Sequence, residues 1–148
     1  MKARDIMTSE VVYVTPDDSV DTVARLLSER KISGVPVVDD TMRVVGVVSE
    51  SDLMVRAQKL RLPFYLTLFD SIIFLENPLR FNEEMKKFTA ARVRDLMTRE
   101  PIVVDEDAEV ADIAALMSES EINRVPVVRE GKLVGIITRN DVVRSLVR

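Results

Sequence analysis

The sequence predicts a mixed α/β fold made of two copies of one β-α-β-β-α unit, with a helical insert between them. Duplication is the first observation. Asp5-Ile6-Met7-Thr8 returns as Asp95-Leu96-Met97-Thr98, and Val35-Pro36-Val37-Val38 returns as Val125-Pro126-Val127-Val128, both at an offset of 90 residues. The second is a slip within the duplication: Gly46-Val47-Val48-Ser49-Glu50-Ser51-Asp52 matches Gly135-Ile136-Ile137-Thr138-Arg139-Asn140-Asp141 at an offset of 89, so the second copy has the tighter hairpin turn. The third is the alternation of valine-rich runs with helical apolar stripes inside each copy. Duplicated halves of this kind pack about a pseudo-two-fold axis, and the cleft between them offers two similar sites.

The first repeat is assigned to residues 1–61, the insert to 62–90 and the second repeat to 91–148. Val11 to Val14 is a short strand-like run. Thr15-Pro16-Asp17-Asp18 then looks like a helix start, with Thr15 as N-cap, proline at the first position and acids in the first turn. Val20, Val23, Ala24 and Leu27 recur at i, i+3, i+4 and i+7, and Val110, Ile113, Ala114 and Met117 repeat the stripe behind Asp105, so both helices should face a core. Val35 to Val38 and Val44 to Val48 form a hairpin around Asp39-Asp40-Thr41-Met42-Arg43. The second copy turns through Arg129-Glu130-Gly131-Lys132-Leu133, where glycine suits a positive φ. Helical stretches from Asp52 to Leu60 and from Asp141 to Val147 close the units.

The insert differs from the rest in composition. All five phenylalanines (Phe64, Phe69, Phe74, Phe81 and Phe88) and Tyr65 fall within it. From Phe64 to Leu75, Leu68, Ile72 and Leu75 share one helical face with Phe69 and Ile73 beside it. This predicts a helix that Asn77-Pro78 should stop. A second short helix is expected after Asn82. The insert is expected to pack on its own chain, with a homodimer contact and a membrane contact as the other readings. A dozen residues cannot span a bilayer, which needs about 20.

Composition narrows the function classes. A chain of 148 residues with 47% hydrophobic and 31% charged residues is too apolar for disorder and too charged for a membrane protein. A formal charge of −4, with no Lys/Arg stripe, argues against a nucleic-acid partner. With no cysteine and no histidine, thiolate nucleophiles, disulfides, the usual zinc sets and the commonest general base are all missing. Four glycines and no phosphate-loop fingerprint leave little room for other enzyme designs. No apolar signal segment follows Met1, and a cytoplasmic location is expected.

The candidate chemistry sits at the end of each hairpin, in Ser49-Glu50-Ser51-Asp52 and Thr138-Arg139-Asn140-Asp141. Ser/Thr-x-x-Asp is close to a capping box, in which the hydroxyl caps a backbone N–H and the acid reaches back. The same geometry also suits a ligand. An aspartate between strand and helix can accept from both ribose hydroxyls, while the hydroxyl and helix start serve a phosphate. Spacing alone leaves both readings open.

Asp-x-Met-Thr, Gly-Val-Pro-Val-Val-Asp and Gly-h-h-Ser/Thr-x-x-Asp, with h apolar, together resemble the CBS (cystathionine β-synthase) domain. Their recurrence resembles a tandem pair, or Bateman module, over residues 1 to 60 and 91 to 148. The insert is not explained by it. The resemblance implies halves paired through their sheets, with AMP, ADP, ATP or S-adenosylmethionine as regulatory ligands in the cleft. It also implies that Asp52 and Asp141 bind ribose, that Ser49 and Thr138 lie near ribose or phosphate, and that Val35 and Val125, before Pro36 and Pro126, line the adenine slot. Arg124 matches a phosphate-binding position. The first copy has Gly34 there, and Glu50 where the second has Arg139, so phosphate should prefer the second copy, whose guanidiniums bind it bidentately.

The function expected is a non-catalytic regulatory module sensing an adenosine ligand, a homodimer or the partner of a further effector protein. Two alternatives stand beside it. One is an assembly protein whose clefts are vestigial and whose aromatic insert, through residues such as Phe69 and Ile73, drives association. The other is a metal-dependent enzyme acting on a nucleotide through Asp52 and Asp141.

Overall fold

A computed structural model describes residues 1–59, 65–68, 71–74, 86 and 91–147. In chain order they form α1 (Ala3–Ile6), α2 (Val20–Arg30), β1 (Gly34–Val38), β2 (Val44–Ser49), α3 (Glu50–Lys59), β3 (Tyr65–Leu68) and β4 (Ser71–Phe74). A 3-10 turn (Val93–Asp95), β5 (Thr98–Arg99), β6 (Val104–Asp105), α4 (Val110–Glu119), β7 (Arg124–Arg129), β8 (Lys132–Thr138) and α5 (Arg139–Ser145) follow. The fold is mixed α and β, with two three-stranded sheets, β1-β2-β5 and β6-β7-β8, and the β3-β4 pair.

The β-branched runs become strands because their side chains fit a pleated, covered surface. β7 and β8 run antiparallel from Arg124↔Thr138 to Arg129↔Lys132, and β6 joins β7 in parallel. Val127 pairs with Gly135 but Val128 with Leu133, so Val134 is the extra residue of a bulge. Val14 is the counterpart of Val104. It bridges Val37, with its N–H on the Pro36 carbonyl at 3.1 Å and its carbonyl accepting from Val38 at 2.9 Å. The expected strand over Val11 to Val14 therefore shrinks to one buried residue, while Tyr13 stands exposed.

Three local expectations are corrected. The first helix starts at Val20 with Ser19 as its N-cap, the Ser19 hydroxyl accepting from Thr22 N–H at 3.2 Å. Thr15-Pro16-Asp17-Asp18 leads into a turn instead. In the second copy Asp105 accepts from Asp107 N–H at 2.9 Å, which closes a turn ahead of α4 rather than the helix itself. Ala24 is exposed although it shares a stripe with the buried Val20, Val23 and Leu27.

The insert supplies a further correction. Tyr65 to Leu68 and Ser71 to Phe74 form an antiparallel hairpin in the register Tyr65↔Phe74 to Leu68↔Ser71, not a helix. Tyr, Thr, Ile and Phe favour strands, and short apolar runs cannot be assigned by periodicity alone. The helix expected after Asn82 lies outside the described residues, apart from Lys86, which is helical.

By contacts the chain forms two compact units that cross the repeat boundary. The first comprises Met1–Thr15, Pro36–Val47 and Thr98–Arg148. Its core gathers Ala3 and Ile6 of α1 with Ile113, Met117, Val125, Val127, Ile137 and Val142. α1 is tied down by Ala3 N–H to the Ala108 carbonyl at 2.8 Å and Arg4 N–H to the Glu106 carbonyl at 3.0 Å, and Thr8 pairs with Ile136 beyond it. An Arg4–Asp107 ion pair closes this contact. The second unit comprises Pro16–Val35 and Val48–Met97. There Val93, 1% exposed, plays the part of Ala3. Val93 N–H donates to the Asp18 carbonyl at 2.9 Å, Val20 N–H to the Ala91 carbonyl at 2.9 Å, and Arg94 pairs with Asp17.

Candidate functional site

Both Ser/Thr-x-x-Asp sequences fold into capping boxes. Asp141 Oδ2 accepts from Thr138 N–H at 2.8 Å and from its hydroxyl at 3.0 Å, and Thr138 Oγ1 accepts from Asp141 N–H at 3.2 Å. The first copy repeats this, with Asp52 Oδ2 to Ser49 N–H at 2.8 Å and to its hydroxyl at 3.2 Å, and Ser49 Oγ to Asp52 N–H at 3.4 Å. Position N3 of a helix puts the carboxylate over the N-cap, so the spacing alone dictates the contact. Each junction is also tied to the residue just before the hairpin's first strand: Glu50 N–H donates to the Ser33 carbonyl at 2.9 Å, and Arg139 N–H to the Asn123 carbonyl at 2.9 Å.

The two carboxylates differ in their surroundings. Asp141 is 6% exposed and its Oδ1 is held by Arg144, one turn along α5. Asp52 is only partly buried, and among the described residues no donor meets its Oδ1. Arg144 was not singled out from the sequence. Its signal was there, since a cation three residues after an acid on a helix shares its face.

Arg124, partly buried, is the cross-strand partner of Thr138 and so stands beside the second box. Arg139 is exposed. It lines, with Ala114, Met117, Glu121 and Val143, an open groove of about 370 Å³ between α4 and α5. Val35 and Val125 are 0% exposed, and Pro36 and Pro126 are buried with them in β1 and β7. The structure therefore joins Thr138, Asp141 and Arg124 at one junction and Ser49 and Asp52 at the other. The valines and prolines lie beneath the surface as the strands' core. Among the described residues no cluster of acids could hold a metal ion, and no helix is long and apolar enough to cross a membrane.

The CBS domain family matches residues 3–59 and 93–148. The chain is 36% identical to MJ1426 of Methanocaldococcus jannaschii over 155 residues, covering 99% of this chain and 92% of that protein. It is 37% identical to the chloroplastic CBS domain-containing protein CBSX2 of Arabidopsis thaliana, covering 95% of this chain and 61% of that longer protein. The crystal structure of CBSX2 in complex with AMP aligns with a TM-score of 0.75 at 35% identity, covering 99% of this chain and 96% of that one. The repeated motifs, the paired boxes on matching hairpins and these matches together establish that the chain belongs to the CBS domain family and carries a tandem pair of its domains.

Proposed function

We propose that this CBS pair is a non-catalytic regulatory module that binds an adenosine-containing ligand at its two strand-to-helix junctions. One observation carries the reading: in both copies the same carboxylate is fixed by the same box at the same place. A carboxylate has lone pairs to spare after such bonds and can accept from a ribose diol. Ser49 and Thr138 serve ribose or phosphate, Arg124 and Arg139 favour phosphate at the second copy, and Val35, Pro36, Val125 and Pro126 form the floor beneath the base. AMP bound to CBSX2, a relative at 35% identity, supports the ligand class. A signal requires the ligand to prefer one of two arrangements, and its output passes through a homodimer or an effector protein in the cytoplasm.

The test is the melting temperature against AMP, ADP, ATP and S-adenosylmethionine, with GMP as control. A ligand at 100 times its Kd adds about 2.7 kcal/mol, several degrees for a domain of this size. A shift with an adenosine ligand and none with GMP is expected. No shift with any of them at millimolar concentration overturns the reading.

One observation favours the assembly alternative. Met54 (65% exposed) and Val143 (54%) are counterparts at the 89-residue offset, and both are unburied apolar side chains on the closing helices. Loss of self-association in Met54→Lys with Val143→Lys, measured by sedimentation in the absence of ligand response, would select it.

A further inference from the structure

Ile136 lies two residues before Thr138 and is the cross-strand partner of Pro126. Proline has no N–H, so this pair exchanges no hydrogen bonds, and in an antiparallel ladder the Ile136 N–H and carbonyl then point to the other side of β8. Thr8 meets both there. Its N–H donates to the Ile136 carbonyl at 2.9 Å, and its carbonyl accepts from Ile136 N–H at 3.0 Å. Met7 lies over Gly135, so close that an added Cβ would collide with its Sδ and Cγ. Behind them Ala3 and Ile6 share a core with Ile137 and Val142. Asp5-Ile6-Met7-Thr8 thus fills the strand edge that proline leaves open, just ahead of the Thr138–Asp141 box.

The service is returned. Thr98, the counterpart of Thr8, pairs with Val47, the counterpart of Ile136, and Val47 again lies two residues before a box, that of Ser49 and Asp52. Arg99 pairs with Gly46, and Pro36 stands in β1 as Pro126 does in β7. Each repeat therefore lends its Asp-x-Met-Thr segment to the other repeat's hairpin, which explains why these motifs recur together.

We propose that each Asp-x-Met-Thr segment is a brace for the opposite repeat's strand-to-helix junction, and that residues 1–8 are a strap whose docking sets the geometry of Thr138 and Asp141. Only the naming of that junction as a ligand site rests on the reading above. Met7 and Thr8 are positioning residues, acting through Gly135 and Ile136 on the strand that ends at Thr138. After Thr8 the chain runs through the exposed Ser9, Glu10 and Tyr13 to its next anchor, Val14 on Val37. A short segment held by few bonds opens at lower cost than a whole core, so the strap can lift while Val14 stays in place. Lifting it strips Ile136 of both partners, and the junction loosens with it.

Native-state amide exchange of the full chain without ligand tests the brace, so its failure is separate from failure of the adenosine reading. Thr8→Pro removes the N–H that the Ile136 carbonyl uses and asks nothing new of Met7, already extended at φ −69° and ψ 153°. Exchange at Ile136 and Thr138 N–H should quicken at least about tenfold. Ser49 N–H, which makes the same bond in the first copy, should be unchanged. Thr98→Pro should do the reverse, quickening Ser49 and sparing Thr138. Met7→Ala, which empties the space over Gly135, should act as Thr8→Pro does. Equal quickening at both boxes, which is general destabilisation, or a Thr138 amide that exchanges as in wild type in both Thr8→Pro and Met7→Ala, overturns the proposal.

Discussion

In the first copy the hairpin turn combines one left-handed residue, Met42 at φ 68°, with a side chain that closes it, and in the second backbone conformation suffices. Asp39 Oδ1 accepts from the Thr41 hydroxyl at 2.7 Å, Thr41 N–H at 2.9 Å and Arg43 N–H at 3.0 Å. These bonds, the Thr41 hydroxyl first, hold its carboxyl below the usual range. The second copy has Glu130 and Gly131 at φ 52° and 82°, a two-residue loop between the paired Arg129 and Lys132. Positive φ at both positions matches the twist of the strands, so no carboxylate is needed. The same contrast holds at the junctions, where one box serves two charge environments. Burial fixes the backbone of both copies, and the copies diverge wherever the core places no demand.

Substitutions can break or sharpen this comparison. The largest effect is expected in the second core: Ile113→Ala, at a 0% exposed position, should cost about 2–5 kcal/mol, and its counterpart Val23→Ala less, since fewer carbons are removed. Denaturant unfolding of both variants measures the gap. Next come the boxes. Asp141→Ala removes a cap, leaves the partly buried Thr138 N–H without its acceptor and orphans Arg144, for about 1–3 kcal/mol. Asp52→Ala, more open and without such a partner, should cost about 0.5–2 kcal/mol. Equal losses would show that Arg144 contributes nothing to stability.

Gly131→Ala should cost about 1–2 kcal/mol, because φ is positive there and the new Cβ would meet the Arg43 guanidinium. An alanine at Asp39 should instead loosen the first turn, read as faster amide exchange at Thr41 and Arg43. The smallest effect is a pH effect. The Arg129 guanidinium, at 2.7 and 2.8 Å, holds the Glu106 carboxyl below its ordinary value of 4.5. A lowered folded pKa stabilises at neutral pH, and this contribution fades as pH falls below about 4.5 through the folded value. Melting curves of wild type and Arg129→Ala should therefore differ slightly at pH 7 and converge in acid.

Much of this was legible in the residues. Valine runs and i, i+3, i+4 stripes located the hairpins and long helices, and Ser/Thr-x-x-Asp spacing located both boxes, because burial and capping leave periodic marks. α1 escaped notice since four residues cannot show a helical period. Thr15-Pro16-Asp17-Asp18 imitated a cap and first turn, and Ser19, four residues after Thr15, was the cap. Tyr65 to Phe74 read as a helix because Leu68, Ile72 and Leu75 happen to fit its spacing, while the strand propensity of Thr67, Ile72 and Ile73 decided the outcome. Arg144 shows the limit at the site: its spacing from Asp141 was visible, but the burial that makes the pair matter was not.

The exchange of short segments between the repeats bears on how the chain is made. Residues 16–35 complete their packing with Val93 and its neighbours, about 60 residues further on, and Ala3 and Ile6 wait for partners as late as Ile137 and Val142. During synthesis the first repeat would leave the ribosome with an open seam, and α1 would be made long before the residues it docks on. Folding should therefore be slow for a chain of this size, because such distant closures must be made before they stabilise anything. A cut between the repeats would yield two fragments that associate with each other more readily than either folds alone.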